Sequence, residues 1–423
     1  MSGGALQVPI PSAAPFPIAG GEPVPRPLAI RQIRLTEFRG YRGLRLDIDA
    51  APVVLTGDNG VGKTNLLEAI SFLTPGRGLR RARLDDVGRR ARAGEPAPLG
   101  PWAVAASLDT PEGRVAIGTG LESPAVEDEN APRRRVVRID GRPAPGPLAL
   151  GRHVVAIWLT PALDRLWVDG PGDRRRFLDR MAAAFDPDHA GSVAAYEQAM
   201  RQRARLLAEG KADDRWLAAL EDTMARHGVA LTASRLALVE RLDSAVRLAI
   251  GPFPRAAVAM AGEVDDWVAG MAALDAEDAL RERLAVARRI DADGGTTSAG
   301  PHRSDLAVRH LDRDIPAAEG STGEQKAVLV AIVLAHARLT AMARGRPPLL
   351  LLDEIAAHLD RRRREALFDE IADIGAQAWM TGTDTEAFAA LAGRAQFFRV
   401  ADGGLAPCLP VAATRPSMET ATP

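Results

Sequence analysis

The sequence predicts an α/β fold in which a domain of strands and helices is interrupted by a mainly helical insertion. Three observations predict it. Residues Gly57 to Thr64 form a glycine-rich loop between an apolar run and a helical pattern. Residues from Ser192 to about Ala249 carry long helical periodicity with few breakers. After them the texture returns to strands, and Pro348 to Leu352 is an apolar run ending in Asp353 and Glu354.

The loop reads Gly57-Asp58-Asn59-Gly60-Val61-Gly62-Lys63-Thr64, followed by Asn65. This is the G-x-x-x-x-G-K-[ST] pattern of phosphate-binding loops. Ala51 to Thr56 before it is strand-like, and Leu66, Leu67, Ile70 and Leu73 after it recur at helical spacing. The glycines allow a tight turn whose N–H groups point inward at the start of a helix, where an anion is favoured. Lys63 adds a point charge for the phosphates, and the Thr64 hydroxyl is a ligand suited to Mg²⁺. Lys63, Lys211 and Lys326 are the only lysines in an arginine-rich chain. Arginine does not substitute for lysine where a compact charge must fit a tight loop.

The 423 residues allow two or three domains. The formal net charge is −1, so nucleic-acid binding requires a local basic patch. Cys408 is the one cysteine, which excludes an internal disulfide framework and fits a reducing, cytoplasmic setting. No run of about 18 apolar residues is present, and the N-terminus lacks the pattern of a secretory signal, so no membrane span is expected.

Residues 1–27 are rich in Pro, Gly and Ala and are expected to be disordered. Leu28 to Leu35 and Leu44 to Ile48 alternate like strands and form a hairpin leading into the loop strand. Arg39 between them either approaches the nucleotide or caps a turn. Seven arginines stand between Gly76 and Gly94: Arg77, Arg80, Arg81, Arg83, Arg89, Arg90 and Arg92. They form either a contact for a phosphate backbone, with Arg77, Arg80, Arg81 and Arg83 as its DNA-binding candidates, or a solvated surface. Residues 101–120 read as strands, Glu122 to Asn130 as an acidic loop, and Arg135 to Arg142 as a hairpin turning at Asp140-Gly141. His153 to Leu159 is again strand-like, Thr160-Pro161 breaks it, and Asp173 to Phe185 is helical. Leu217, Leu220, Met224, Leu231, Leu238, Leu242 and Val246 recur at steps of three, four or seven. That seam is coiled-coil-like, and it fits a helical bundle as well as a protruding antiparallel pair. A further helix is expected over Asp275 to Ile290.

Gly320-Ser321-Thr322-Gly323-Glu324-Gln325-Lys326 precedes an apolar helix from Ala327 to about Ala343. The turn reads as an anion site at a helix N-terminus, or as plain capping by Ser321 or Thr322 with Gln325 as capping-box partner. In the strand that follows, Asp353 is the expected Mg²⁺ ligand with Thr64, and Glu354 the general base for an attacking water. Glu354 and Lys63 are therefore the expected catalytic residues. Phosphate loop, Ser-x-Gly-Glu turn and acidic strand, in that order, resemble the ATPase head of the ABC class. Asp360 stands at that class's D-loop position and also fits the N-cap of a helix from Arg361 to Ile374. No histidine occupies Thr381 to Thr383, the usual place of the switch histidine. In this class the turn of one head, Ser321 to Lys326 here, completes the nucleotide site of another head. Two chains would then close on two ATP molecules. The expected segments are the tail 1–27, a first half-head 28–172, a helical lobe 173–292, a second half-head 293–404 and a tail 405–423.

The chain resembles the RecF family of bacterial DNA replication and repair proteins. The resemblance rests on Ile33 to Tyr41, Gly57 to Asn65, Arg174 to Asp179, Gly300 to Asp305, Ser321 to Lys326 and Leu352 to Asp360. It implies an ABC-type head, a helical second lobe with no long coiled coil, and slow, DNA-stimulated ATP hydrolysis. It also implies ATP-dependent dimerisation, binding to DNA beside single-strand gaps, and work with RecR and RecO to load RecA in recombination and the SOS response. The family's Q-loop glutamine has no obvious counterpart, since Thr160-Pro161 stands in its place. Three alternatives carry less. A chromosome-organising SMC-like ATPase needs a far longer insert, and an ABC transporter subunit needs a membrane partner. A nuclease with an added acidic metal domain would need more chain than the loose tail expected after about residue 404.

Overall fold

The computed structural model describes residues 28–91, 97–98, 100–122, 134–210, 213–248, 251–357, 359–401 and 403–409. The tail expected over 1–27, the chain beyond 409, the acidic stretch after Glu122, Arg92 and His358 lie outside the described residues.

The first strands are β1 (Ala29–Phe38), β2 (Tyr41–Asp47) and β3 (Val53–Thr56), and helix α1 (Lys63–Ser71) follows the glycine loop. Next come β4 (Ala103–Thr110), β5 (Gly113–Leu121), β6 (Arg135–Ile139), β7 (Arg142–Pro143) and β8 (Ala156–Leu159). The insertion carries α2 (Pro171–Phe185), α3 (His189–Glu209), α4 (Asp214–Val246), β9 (Ala256–Ala261), α5 (Glu263–Gly270) and α6 (Ala273–Gly294). The chain closes with β10 (Asp305–His310), β11 (Ile315–Pro316), α7 (Thr322–Arg344), β12 (Leu349–Leu352), α8 (Arg361–Ile374), β13 (Ala378–Gly382), β14 (Gln396–Ala401) and β15 (Gly404–Pro407).

The central sheet has the order β15-β14-β3-β13-β12-β8 and is parallel except for the β14–β15 pair. Both of its faces are covered, which explains why its strands read as continuous apolar runs. Val54, Ile157, Leu159, Leu350, Leu352 and Met380 face a core shared with α2, α7, α8 and the end of α4. The alternate residues Val53, Leu55, Trp158, Leu349, Leu351 and Trp379 face a second core. That core lies under an antiparallel sheet of order β2-β1-β4-β5-β6-β7 and includes Leu66, Leu67 and Ile70 of α1. Asp140 and Gly141 both adopt positive φ, 48° and 77°, as a two-residue hairpin turn of the right twist requires. β15 extends three residues beyond the expected start of the C-terminal tail.

The helical insertion has its own small core of Tyr196, Leu220, Met224, Leu231, Leu280 and Leu284. Only four residues separate α3 from α4, so the two run antiparallel. α6 and α5 pack on them as well, so the seam of α4 serves a bundle. It also changes partners along its length, because Leu238, Leu242 and Val246 belong to the core of the central sheet. Arg203 is fully buried and stitches the bundle: it pairs with Glu221 at 2.9 Å and Asp291 at 2.6 Å, and it donates to the Leu284 carbonyl. A short antiparallel sheet, β11-β10-β9, joins the insertion to the second half of the head.

The two strings at 174–179 and 300–305 meet. Arg174 forms a two-pronged bond to Asp305, and Arg175 donates to the Ser304 carbonyl. Asp179 takes Arg235 at 2.7 and 2.9 Å and His189 at 3.0 Å, while Arg235 also donates to the Pro301 carbonyl. Gly300 has φ 133°, and a Cβ there would lie 2.2 Å from the Tyr196 hydroxyl. That hydroxyl instead bonds His302 Nδ1 at 2.7 Å. These strings therefore lock α2, α3 and α4 to the turn before β10.

Candidate nucleotide site

The loop after β3 is shaped by two close approaches. A Cβ on Gly57 would lie 2.5 Å from the Val400 carbonyl oxygen of β14, and its φ is 142°. Gly62, φ 113°, precedes α1, and its carbonyl accepts the Tyr41 hydroxyl at 3.0 Å. Asp58, Asn59 and Gly60 are exposed, and Val61 packs against the core below. Lys63 folds back: its ammonium donates to the carbonyls of Gly57 at 2.6 Å and Asp58 at 2.8 Å. Burial pulls its pKa down, opposed by the charges of Glu354, Asp353 and Asp58.

The acidic strand ends beside it. Asp353 is buried, and its backbone N–H donates to the Leu159 carbonyl. The Thr64 hydroxyl lies 2.9 and 3.0 Å from the two Asp353 carboxylate oxygens. β13 runs between β3 and β12 and brings a third group. Thr381, fully buried, donates its hydroxyl to Asp353 at 2.7 Å and accepts the Glu354 backbone N–H at 2.8 Å. Glu354 is exposed and sits at φ 51°, an uncommon conformation for a residue with a side chain. Local sequence reading missed Thr381; the signal was a hydroxyl at the end of the strand where a switch histidine was sought.

Among the described residues no group of three His, Cys, Asp or Glu could hold a metal ion by itself. One hydroxyl and one carboxylate in mutual contact are nonetheless the donor set that magnesium takes from protein when phosphates and waters supply the rest. Thr64 and Asp353 fit it.

The Ser321 turn is exposed and caps α7. The capping box is made with Glu324, whose carboxylate accepts from the Ser321 backbone N–H at 2.8 Å and hydroxyl at 2.9 Å. The expected partner, Gln325, turns back to the carbonyls of Ala318 and Gly320 because its side chain points inward at that helical step. Lys326 is also buried and pairs with Asp164 at 3.2 Å. Ser321, Thr322, Gly323 and Glu324 are thus the outward part of the six. Among the described residues no hydrogen bond or ion pair joins them to the Gly57–Asn65 loop. Asp360 caps α8, accepting from the Arg363 N–H at 2.9 Å.

The arginine stretch divides. Arg89 is withdrawn from any surface patch, buried and paired with Glu37 at 2.6 Å. Arg39 grips Glu68 of α1 at 2.6 and 2.8 Å and donates to the Asp86 carbonyl. Arg80 bonds Asn65 at 2.7 Å and Glu68 at 2.9 Å, tying the patch to the first turn of α1. Arg77, Arg81 and Arg83 are exposed.

A model described as an AAA domain matches residues 32–96. The DNA replication and repair protein RecF of Mesorhizobium japonicum is 48% identical over 386 residues, covering 91% of this chain and 99% of its own. The protein of the same name from Rhizobium rhizogenes is 49% identical over 385 residues, covering 90% of this chain and 99% of its own. The chain belongs to the RecF family. Its fold agrees with that of a solved recombination mediator protein RecF in complex with ATPrS, at TM-score 0.76 and 19% identity over 90% of this chain and 98% of that one. An Smc head domain from Pyrococcus furiosus aligns at TM-score 0.50 and 16% identity over 90% of this chain and 96% of that one. This RecF-family protein therefore has the fold of an ABC-type ATPase head, with a mainly helical insertion. Among the described residues one helix, Thr322–Arg344, is long and apolar enough to cross a membrane, and 72% of its most apolar window is buried inside the head.

Proposed function

We propose that this protein is a slow, DNA-stimulated ATPase whose two-chain, ATP-bound form clamps DNA at single-strand gaps. There it would help RecO and RecR load RecA, with hydrolysis resetting the clamp. The observation that supports this reading is the bonded chain that joins the Thr64 hydroxyl to the Asp353 carboxylate and, through Thr381, to the Glu354 backbone N–H.

In the proposed mechanism Lys63 exchanges the carbonyls of Gly57 and Asp58 for the β- and γ-phosphates of ATP. The N–H groups from Gly60 to Asn65 surround the same oxygens. Thr64 and Asp353 would hold a magnesium ion, which supplies neutralisation of phosphate charge when bound. Glu354 accepts the proton of the attacking water. Ser321, Thr322 and Gly323 of a second copy of the chain approach the γ-phosphate. Arg77, Arg80, Arg81 and Arg83 take the DNA backbone. The working division is a head from 28–172 and 293–404 around a helical lobe at 173–292. The protein works in the cytoplasm.

The test is affinity for a gapped duplex with ATP and with ADP at one salt concentration, alongside mass in solution. Tighter binding and doubled mass with ATP are expected. Nucleotide-indifferent binding by a monomer refutes the clamp. Lys63→Ala is expected to abolish ATP binding, and normal affinity in that variant refutes the loop assignment.

A further inference from the structure

A cavity of about 280 Å³, with no residue of the Gly57–Asn65 loop in its lining, lies between the chain around residues 74–81, the start of β8, and helices α2 and α3. Arg77, Arg81, Arg176 and Arg180 line it, and Trp158 and Leu79 contribute to its apolar wall. Four arginines around so small a space repel one another and need compensation. The protein provides little. Of the two carboxylates at the cavity, Asp179 is committed to Arg235 and His189, and Glu197, paired with Arg201, is with Asp173 the negative charge felt by Arg81. Arg176 holds Asp173. Among the described residues Arg77, Arg81 and Arg180 have no carboxylate or carbonyl partner.

Arg180 is the most telling. Its guanidinium carbon stands 4.5 Å from the centre of the Trp158 ring and 5.5 Å from that of Phe177. Burial, helped by the nearby charge of Arg81, pulls its pKa down to about 9. Arg81 holds the left-handed conformation, φ 55°. A stacked, desolvated guanidinium with free N–H groups suits a phosphate together with a planar ring. The volume falls just below the ~300 Å³ at which small-molecule sites usually begin, so it admits one nucleotide unit and not two.

We propose that this cavity binds one nucleoside phosphate, its phosphate held by Arg77 and Arg81 and its ring laid on the Arg180 guanidinium that covers Trp158. The occupant is either a free nucleotide or one residue of a single strand; the chemistry is the same. The site does not depend on the Lys63 loop, and it draws Arg77 and Arg81 out of the DNA-backbone contact proposed above, leaving Arg80 and Arg83 there. Its occupant would touch β8, which pairs with the acidic strand through Trp158 and Leu351.

The test uses the full chain carrying Lys63→Ala, so that the loop site is silent, and measures dTMP binding by calorimetry. One saturable site per chain is expected, weakened about tenfold or more by Arg180→Met and by the exposed-side change Arg81→Gln, as loss of a charge-assisted contact predicts. Ala183→Phe keeps every arginine but fills the cavity, and it is expected to block dTMP while the chain melts normally. A 5′-phosphorylated oligothymidylate that displaces dTMP assigns the site to a nucleic-acid strand, and failure to displace assigns it to a free nucleotide. No saturable dTMP binding overturns the proposal, as does binding unchanged in Arg81→Gln and Ala183→Phe. Inorganic phosphate binding as tightly as dTMP also overturns it. Loss of ATP binding in Lys63→Ala with dTMP binding intact separates this site from the loop site.

Discussion

Thr381→Val is the sharpest probe of the site. Valine keeps the shape of threonine at a fully buried position and removes only the hydroxyl. Two bonds go with it: the donation to Asp353 at 2.7 Å and the acceptance of the Glu354 N–H at 2.8 Å. A hydrogen bond to a charged group is worth about 1.5–3 kcal/mol, and leaving a buried donor unpaired costs about 1–3 kcal/mol. The second loss falls on a residue already held at φ 51°, a conformation that persists only while its surroundings enforce it. Once released, Glu354 relaxes and its carboxylate leaves the line of attack. If about 2 kcal/mol of the total is felt in the transition state, turnover falls about 30-fold. Lys63 and the loop N–H groups are untouched, so ATP affinity changes little. Thr381→Ser restores the hydroxyl and should recover most of the rate. Phosphate release and ATP affinity, measured on the same three proteins, decide the matter. A valine variant that turns over at the parental rate refutes the tie, and one that loses ATP binding in proportion shows that Thr381 shapes the loop instead.

Other consequences are open to measurement. Arg203→Met leaves Asp291 buried without its partner while Glu221 keeps Arg288 at 2.6 Å, so a urea unfolding series should show a loss of about 3–5 kcal/mol; a loss below ~1 kcal/mol refutes the buried-pair reading. Burial pulls the His336 pKa down to about 3, so the unfolded chain takes its proton first as pH falls. Its contribution is therefore complete above about pH 6.5 and shrinks as pH falls toward 3, by about 2 kcal/mol at pH 5. His336→Leu should flatten that dependence, and identical slopes in the two proteins overturn the assignment. Neutralising Arg83 alone should weaken DNA binding modestly and lower its salt dependence. Neutralising Arg80 should also alter ATP affinity through its bond to Asn65; equal effects of the two changes on DNA, with ATP affinity untouched by either, would dissolve that link. Gly57→Ala forces a Cβ to 2.5 Å from the Val400 carbonyl and should displace the loop, read as lost ATP binding; normal binding shows that β14 yields.

The parts of the site that are contiguous in the chain were legible from the residues alone. Gly57 to Asn65 and Leu349 to Glu354 carry their own shape, since tight turns, a helix start and a buried strand are local matters. What escaped was made by long-range contact. Thr381 reaches Asp353 only because β13 is inserted between β3 and β12. Arg89 looked like surface charge until Glu37, 52 residues away, was seen to hold it. Lys326 belongs to a conspicuous turn, yet helical geometry turns it inward to Asp164. β9 went unseen because Ala256 to Ala261 is mostly alanine and has weak strand preference; its pairing with β10 decides its form.

The way α4 is rooted has mechanical meaning. It is one unbroken helix of 33 residues with its last turns embedded beneath the central sheet, and the bundle is built on its other end. The helix runs without a break through Gly228, so the bundle is geared to the head like a lever on a shaft. From Asp214 to Leu238 the arm is about 36 Å long. A tilt of about 5° at the root, small enough for side-chain repacking to absorb, swings the far tip by about 3 Å. A sub-ångström adjustment around the acidic strand would thus be magnified at the outer surface of the molecule, where another macromolecule could sense it.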